Sequence, residues 1–377
     1  MSPHFSWRRL AALCRKETWQ IARDPSSGIV AFGLPMMLIL IFGFGINLDT
    51  SRARVGVLNE DTGAESADFV QQITGSPYFE PRVVHDRPTL DHLLEVGEVR
   101  GYVVIPADFS RRLEESDRVA PIQVVTDGAE PNTANFVSGY LSGAWREWQQ
   151  ARARERGATP ALPLAVEPRY WFNPSAKSRN YLIPGSITII MTVIGALLTS
   201  LVVAREWERG TMEALLASPV SRAEILLSKL LPYYLLGMLS MGVVTALAVF
   251  ALGVPFRGSL FVLCVVTTFF LLSVMGLGLF ISAKTRDQFN AAQGALNVAF
   301  LPAMMLSGFI FEITSMPAPI RALTYLLPPR YFVSSLQTLF LAGDVWTILV
   351  PDTLFLVGTS ALFLFLAARA TTRRLDG

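Results

Sequence analysis

The chain has 377 residues, 51% hydrophobic and only 16% charged, where ordinary soluble domains carry roughly 25% charged residues. With a mean hydropathy of +0.42 and a net charge of +2 from interspersed signs, a disordered chain is excluded, and a purely soluble protein or a nucleic-acid binder is disfavoured. His4, His85, His92, Cys14 and Cys264 are too few and too scattered for a zinc site or a disulfide framework. Cys264 lies in an apolar run and reads as core filler. No G-x-x-x-x-G-K-[ST] occurs, so ATP is not bound here through a P-loop.

Residues 1–27 open with a stretch, 5–22, in which Phe5, Leu10, Leu13, Trp19 and Ile21 mix with Arg8, Arg9, Arg15 and Lys16. A basic, Trp-bearing amphipathic stretch predicts a helix lying along a membrane surface, and Asp24-Pro25 breaks it. The charge-free run 28–48 follows. A membrane span needs about 20 mostly apolar residues. This run is too long for a signal-peptide core, and no small-residue cleavage site follows, so it reads as an uncleaved anchor.

Residues 49–180 are the least hydrophobic part of the chain. Strand patterns at 54–58, 79–84, 102–105 and 122–126 alternate with helical ones at 68–74, 89–96 and 108–115. A long helix is predicted over 132–156 and a last strand near 166–172. Such alternation predicts a small α/β domain with its own core. Asp127-Gly128 with Glu130 reads as a strand-to-helix turn with an acidic first helical turn rather than as a catalytic carboxylate pair. Phe136, Trp145 and Trp148, with Arg146, Arg152, Arg154 and Arg156, and then Tyr170, Trp171, Lys177 and Tyr181, suit either a membrane interface or an aromatic core. Both readings stay open.

Further charge-poor runs at 181–204, 230–256, 258–283, 288–311 and 345–368 bring the predicted spans to six, with Asp352 near one end of the last. The expected fold is therefore an α-helical integral membrane protein with six transmembrane helices and an α/β extracytoplasmic domain between the first and second. With both termini inside, the cytoplasmic pieces carry 14 Lys and Arg, and the short outer loops only Arg257, Arg321 and Arg330. The positive-inside rule favours that orientation, and a long segment such as 49–180 translocates regardless of its charge. Residues 312–344 are apolar but broken by Pro317, Pro319, Pro328 and Pro329. They read as re-entrant or short outer helices, with a surface loop as the alternative. Residues 369–377 form a cytoplasmic tail.

The loop 205–229 is the most informative. A charged helical stretch ends at Gly210; Thr211 is placed to cap a short helix, 212–217, which Pro219 terminates. Ser221 with Glu224 forms a capping-box pattern for the next helix. A short helix between two turns suits a groove on a partner protein; an ordinary charged connector is the alternative. Within the spans, Thr188, Thr192 and Thr199 mark one side of the second, and Asn290, Gln293 and Asn297 share a face of the fifth. They are candidates to line a substrate path, or to join helices by hydrogen bonds.

The stretch R-E-W-E-R-G-T-M-E-A-L-L-A-S-P-V-S-R-A-E-I-L-L-S-K (205–229) resembles the signature loop of type-2 ABC transporter permeases. K-E-T-W-Q-I-A-R-D-P (16–25), V-R-G-Y-V-V-I-P-A-D-F-S-R-R-L (99–113) and L-S-G-F-I-F-E-I-T-S-M-P-A-P-I-R-A-L-T-Y-L-L-P-P-R-Y-F (306–332) resemble that family's first helix, large periplasmic domain and segment before the last span. The ordered set covers nearly the whole chain, and is most similar to the multidrug-efflux subgroup. At Glu312 the chain departs from the Pro common there.

The resemblance implies a non-catalytic permease of the bacterial inner membrane, paired with a second copy or a paralogue. An ABC ATPase subunit would hold ATP and Mg, leaving no cofactor or metal on this chain. The short helix would be the coupling helix, with Glu206, Glu208, Arg209, Gly210, Thr211, Glu213, Leu216 and Pro219 as its ATPase-coupling residues. Whether a periplasmic adaptor protein docks on 49–180 is left open, and membrane lipids would surround the spans. With no charge deep in a span, apolar or amphipathic cargo is expected. A secondary transporter, which usually needs an intramembrane ionisable group or broken helices at the midplane, and a non-transporting regulator acting through the outer domain are the alternatives.

Overall fold

The computed structural model describes residues 5–45, 52–114, 122–126, 131–155 and 177–371. In chain order, α1 is Trp7–Arg23 and α2 is the span Pro25–Gly45. β1 (Ala53–Asn59), α3 (Ala64–Gly75), β2 (Phe79–Val84), α4 (Arg87–Glu95), β3 (Gly101–Ile105), α5 (Phe109–Glu114), β4 (Gln123–Thr126) and α6 (Pro131–Glu155) follow. Then come α7 (Ser178–Glu208), the short α8 (Thr211–Ala217), α9 (Arg222–Ala251) and α10 (Leu260–Thr285). α11 is the helical run 288–306, α12 is Ala318–Thr324, α13 is Pro328–Leu341 and α14 is Trp346–Ala370. The chain divides into two compact units, 49–169 and the remainder.

The smaller unit is an α/β domain with sheet order β2-β1-β3-β4. β1 pairs in parallel with β2 and β3, and β3 is antiparallel to β4. Side chains alternate across the central strands, as strand geometry requires. Val55, Val57, Val103 and Ile105 join Phe69, Ile73, Phe109, Leu141 and Trp148 in one core. Leu58 and Val104 meet Leu90 of α4 on the other face. Trp148 is buried and donates to Asp68 Oδ2 at 2.7 Å, while Trp145 and Trp148 both pack on Phe69. For these two rings the aromatic-core reading holds. The expected strand 166–172, Asp127, Gly128, Glu130 and Arg156 lie outside the described residues.

Among the described residues, five helices of the larger unit, α2, α7, α9, α10 and α14, are long and apolar enough to cross a membrane. α7 is the central pillar, with 89% of its most apolar stretch buried; α9, α10, α11 and α13 all lie against it. It runs on past the expected boundary at residue 204 to Glu208, because the helical hydrogen-bond ladder does not stop where hydropathy does. The expected fifth span is helical over 288–306 only. It falls outside those five because Gln288, Asn290, Gln293 and Asn297 lower its hydropathy.

The proline-broken stretch 312–344 is more than a surface loop. Pro328 and Pro329 begin α13, where a missing N–H costs nothing. α13 buries Phe332, Leu336, Leu339 and Phe340, with Phe332 stacked on Phe270 at 3.9 Å. Cys264 corrects an expectation. It is exposed on α10 rather than in the core, because α10 buries a neighbouring stripe, Leu263, Val266, Thr267 and Phe270.

Hydroxyls and one glycine join the pillars. Ser282 Oγ accepts from Val203 N at 3.1 Å and Ala204 N at 2.9 Å. Ser240 donates to the Ala31 carbonyl at 2.6 Å, and Ser273 to Thr359 Oγ1 at 3.1 Å. At Gly278 a Cβ would meet the Thr199 hydroxyl and lie 2.6 Å from the Ala196 carbonyl oxygen and 3.2 Å from its Cα. The α7 and α10 backbones therefore touch, as small residues allow between membrane helices. Gly278→Leu is expected to part the two pillars and abolish the folded monodisperse protein, and Gly278→Ala to cost about 1–3 kcal/mol. Thermal unfolding and size-exclusion profiles of the detergent-purified variants check this.

Candidate functional site

The signature loop starts from a rigid base. Lys229, whose side chain is 2% exposed, places Nζ 3.0 Å from Glu17 Oε1 and 3.0 Å from Glu206 Oε1. Lys16 Nζ lies 2.7 Å from the same Glu206 oxygen and 3.2 Å from Glu17 Oε1. Two ammonium groups and two carboxylates thus close a neutral square joining α1, the end of α7 and the start of α9. Neutrality and dense pairing are what let charges be buried at all. Burial by itself lowers the pKa of Lys16, but the Glu206 hydrogen bond and the Glu17 charge raise it above its ordinary value.

Two further clamps flank the square. Arg205 Nη1 lies 3.1 Å from Asp24 Oδ2, and Asp24 also accepts from Ser26 N at the start of α2. Glu224 is buried. It accepts from Ser221 N at 2.6 Å within the expected capping box, from Ser6 N at 2.6 Å, and from Arg9 Nη2 at 3.0 Å. The N-terminal helix is thereby stapled to α9 at its start and to α7 just past its end.

From this base the chain turns sharply into α8. Gly210 adopts φ +68°, a left-handed conformation that a side chain would strain. Gly210 N bonds the Trp207 carbonyl at 3.1 Å, ending α7. Thr211 was expected as the cap of the short helix. Instead Gly210 precedes the helix, Thr211 is its first residue, and its hydroxyl donates to the Glu206 carboxylate. Met212 is buried at 1% exposure and anchors α8 inward. Arg286 stacks on Trp207, with Cζ 4.5 Å from the ring centroid.

The expected coupling residues now divide. Glu206 is corrected: at 4% exposure its carboxylate is taken up by Lys16, Lys229 and Thr211, so it serves the base and does not face outward. Glu208 is exposed, but it accepts from Gln288 N at 2.6 Å and binds the Gln288 side chain, tying α7 to α11. Arg209, Gly210, Thr211, Glu213 and Pro219 are exposed. The Leu216 side chain lies outside the described residues. Lys16, Glu17 and Lys229 went unassigned as a site in the sequence. The signal was there: Glu17 shares a helical face with Leu10, Leu13 and Ile21, where a charge needs a buried partner.

The candidate path residues also divide. Thr188, Thr192 and Thr199 are fully buried. Thr192 donates to the Thr188 carbonyl at 2.7 Å, and Thr199 to the Gly195 and Met275 carbonyls at 2.7 and 3.1 Å. Thr199 therefore joins helices, because the backbones are too close there to leave a channel. Asn290, Gln293 and Asn297 are exposed together on α11. Asn297 sits in a π-helical turn, Leu296–Phe300, a feature frequent at functional positions. Among the described residues no group of His, Cys, Asp or Glu could hold a metal ion.

A bundle of apolar helices thus holds one short helix on a stapled base. The chain belongs to the ABC-2 family of transporter proteins, whose model matches residues 26–369. It is similar to the probable multidrug ABC transporter permease YbhS of Escherichia coli K12, at 56% identity over 375 residues and 100% of both chains. It is 30% identical to the probable multidrug ABC transporter permease YbhR of the same strain, over 92% of this chain and 94% of that one. It is also 21% identical to the linearmycin resistance permease protein LnrN of Bacillus subtilis, over 89% and 92%. The chain is thus a non-catalytic permease, a multi-pass membrane subunit whose ATPase is a separate subunit.

Removing Lys229 leaves two buried carboxylates with only the exposed Lys16 to neutralise them. Lys229→Met is expected to destabilise the protein by about 3–5 kcal/mol. Lys229→Met combined with Glu17→Gln, which restores neutrality, is expected to recover much of the loss. Thermal unfolding of the two variants in detergent checks the order.

Proposed function

We propose that the chain is the permease of an ATP-driven exporter that moves apolar or amphipathic compounds out of the cytoplasm or the inner leaflet. The observation that carries this is α8 itself. Its inner side is anchored by Met212 and the neutral square, while Arg209 and Glu213 stand exposed around it. A helix so mounted transmits force, because displacing it must also displace α7, α9 and α1. A groove on the ATPase would receive it through charge-assisted contacts. ATP and Mg bound there would close the ATPase subunits and shift the permease between inward- and outward-facing states.

In this reading both termini are cytoplasmic, α11 is the fifth of six spans, α12 and α13 are re-entrant or outer helices, and 49–180 is periplasmic. A polar face on a spanning helix does not rest against lipid. The exposed amides of Asn290, Gln293 and Asn297 therefore support a path formed between two permeases, either two copies or this chain with a paralogue. The multidrug names of YbhS and YbhR support drug-like cargo. A periplasmic adaptor would reach the α/β domain.

Arg209→Glu with Glu213→Lys is expected to abolish co-purification of the ATPase while membrane insertion is unchanged; retained co-purification would overturn the assignment of α8. For the path, Asn297→Cys in a background with Cys14 and Cys264 replaced by Ala is expected to crosslink permease to permease in native membranes. Exclusively uncrosslinked permease at that position would place the interface elsewhere.

A further inference from the structure

Beyond the loop, the ends of α10 and α14 enclose a second feature. A cavity of about 540 Å³ is lined by Lys284, Arg286 and Arg369 together with Phe280 and Leu366. Lys284 and Arg369 lie in the last turns of their helices. Among the described residues no carboxylate lines the cavity. Three like charges converging without an acid repel one another, so an anion between them is favoured.

The surroundings select the kind of anion. Immediately along α14, Leu362 and Phe365 are 52% and 53% exposed. On a span, such side chains meet acyl chains. Phe280 and Leu366 continue the apolar lining into the cavity, so the site is greasy on its membrane side and cationic at its end. The guanidinium groups are also held in position. Arg369 Cζ lies 4.7 Å from the Phe365 ring centroid, and Arg286 stacks on Trp207. Arg286 also lines the narrow gap behind Trp207 and Met212, so the cavity adjoins the root of α8.

We infer that this cavity binds the phosphate of an anionic phospholipid of the inner leaflet, with one acyl chain along Leu362, Phe365 and Leu366. The assignment rests on the orientation given under Proposed function, which puts these helix ends at the cytoplasmic surface. Basic pockets between spans on that side suit anionic headgroups. Lys284 and Arg369 supply the ionic contacts, and Arg286 relays occupancy to Trp207.

The test uses the full chain in mild detergent, with phosphatidylglycerol or phosphatidylcholine added and retained lipid read by native mass spectrometry. Wild type is expected to retain phosphatidylglycerol preferentially. Lys284→Gln with Arg369→Gln is expected to weaken that retention roughly 30-fold, and Lys284→Arg with Arg369→Lys to preserve it. Equal retention of both lipids, or unchanged retention by the glutamine variant, overturns the site. So does a glutamine variant that keeps phosphatidylglycerol but loses the ATPase, since the cluster would then be a protein contact. Because retention is read on the permease alone, the result stands whether or not the ATPase co-purifies.

Discussion

Everything presented by the signature loop depends on four paired charges, three of them buried and Lys16 exposed, where three chain segments meet. Lys16 and Glu17 come from the N-terminal helix, Glu206 from the end of α7 and Lys229 from the start of α9. None could be buried alone, since the desolvation of a single ion costs several kcal/mol. Together they are neutral, and each is within hydrogen-bond distance of an opposite charge. The pairing holds only when all three segments are in register. The square is therefore a geometric constraint before it is a source of stability: it fixes where α7 ends, and hence where Gly210 turns the chain into α8.

The same constraint explains the division of labour around α8. Residues that look equally charged in the sequence have opposite duties. Glu206 is buried against Lys229 and the exposed Glu208 is tied to Gln288, whereas Arg209 and Glu213 are exposed. In the bundle the analogous division separates hydroxyls from amides. Ser and Thr are short enough to satisfy themselves on a nearby carbonyl, so Thr192 and Thr199 disappear into the α7 interior. Asn and Gln carry donors and acceptors that need a partner of equal polarity, and those of α11 stay on its surface.

Much of this was legible beforehand, and for identifiable reasons. The spans were readable because about 20 apolar residues have few other uses. The capping box at Ser221 and Glu224 was readable because it is a purely local pattern. The strand and helix order of the α/β domain followed from alternating periodicities, and 79–84 matches β2 in both bounds. What escaped were facts of rotation and of distance. The exposure of Cys264 depends on which stripe of α10 its neighbours cover. The role of Thr211 depends on a left-handed turn one residue earlier. The burial of α13 depends on packing by α7, α10 and α14, which a proline-rich stretch does not announce.

The amino-acid sequence by itself determined the membrane class, the places of most of the apolar helices, the position of the short helix and the family to which the chain belongs. Each of these is written in composition, periodicity or contiguous motif. Only the tertiary structure decided which charges are structural and which are presented, and that Thr199 of α7 joins two helices. It alone gathered Lys284, Arg286 and Arg369 around one cavity. The reason is physical: a side chain's chemistry is local, but its burial and its partner are set by segments far away in the chain. Glu17 and Lys229 are 212 residues apart and share one hydrogen bond.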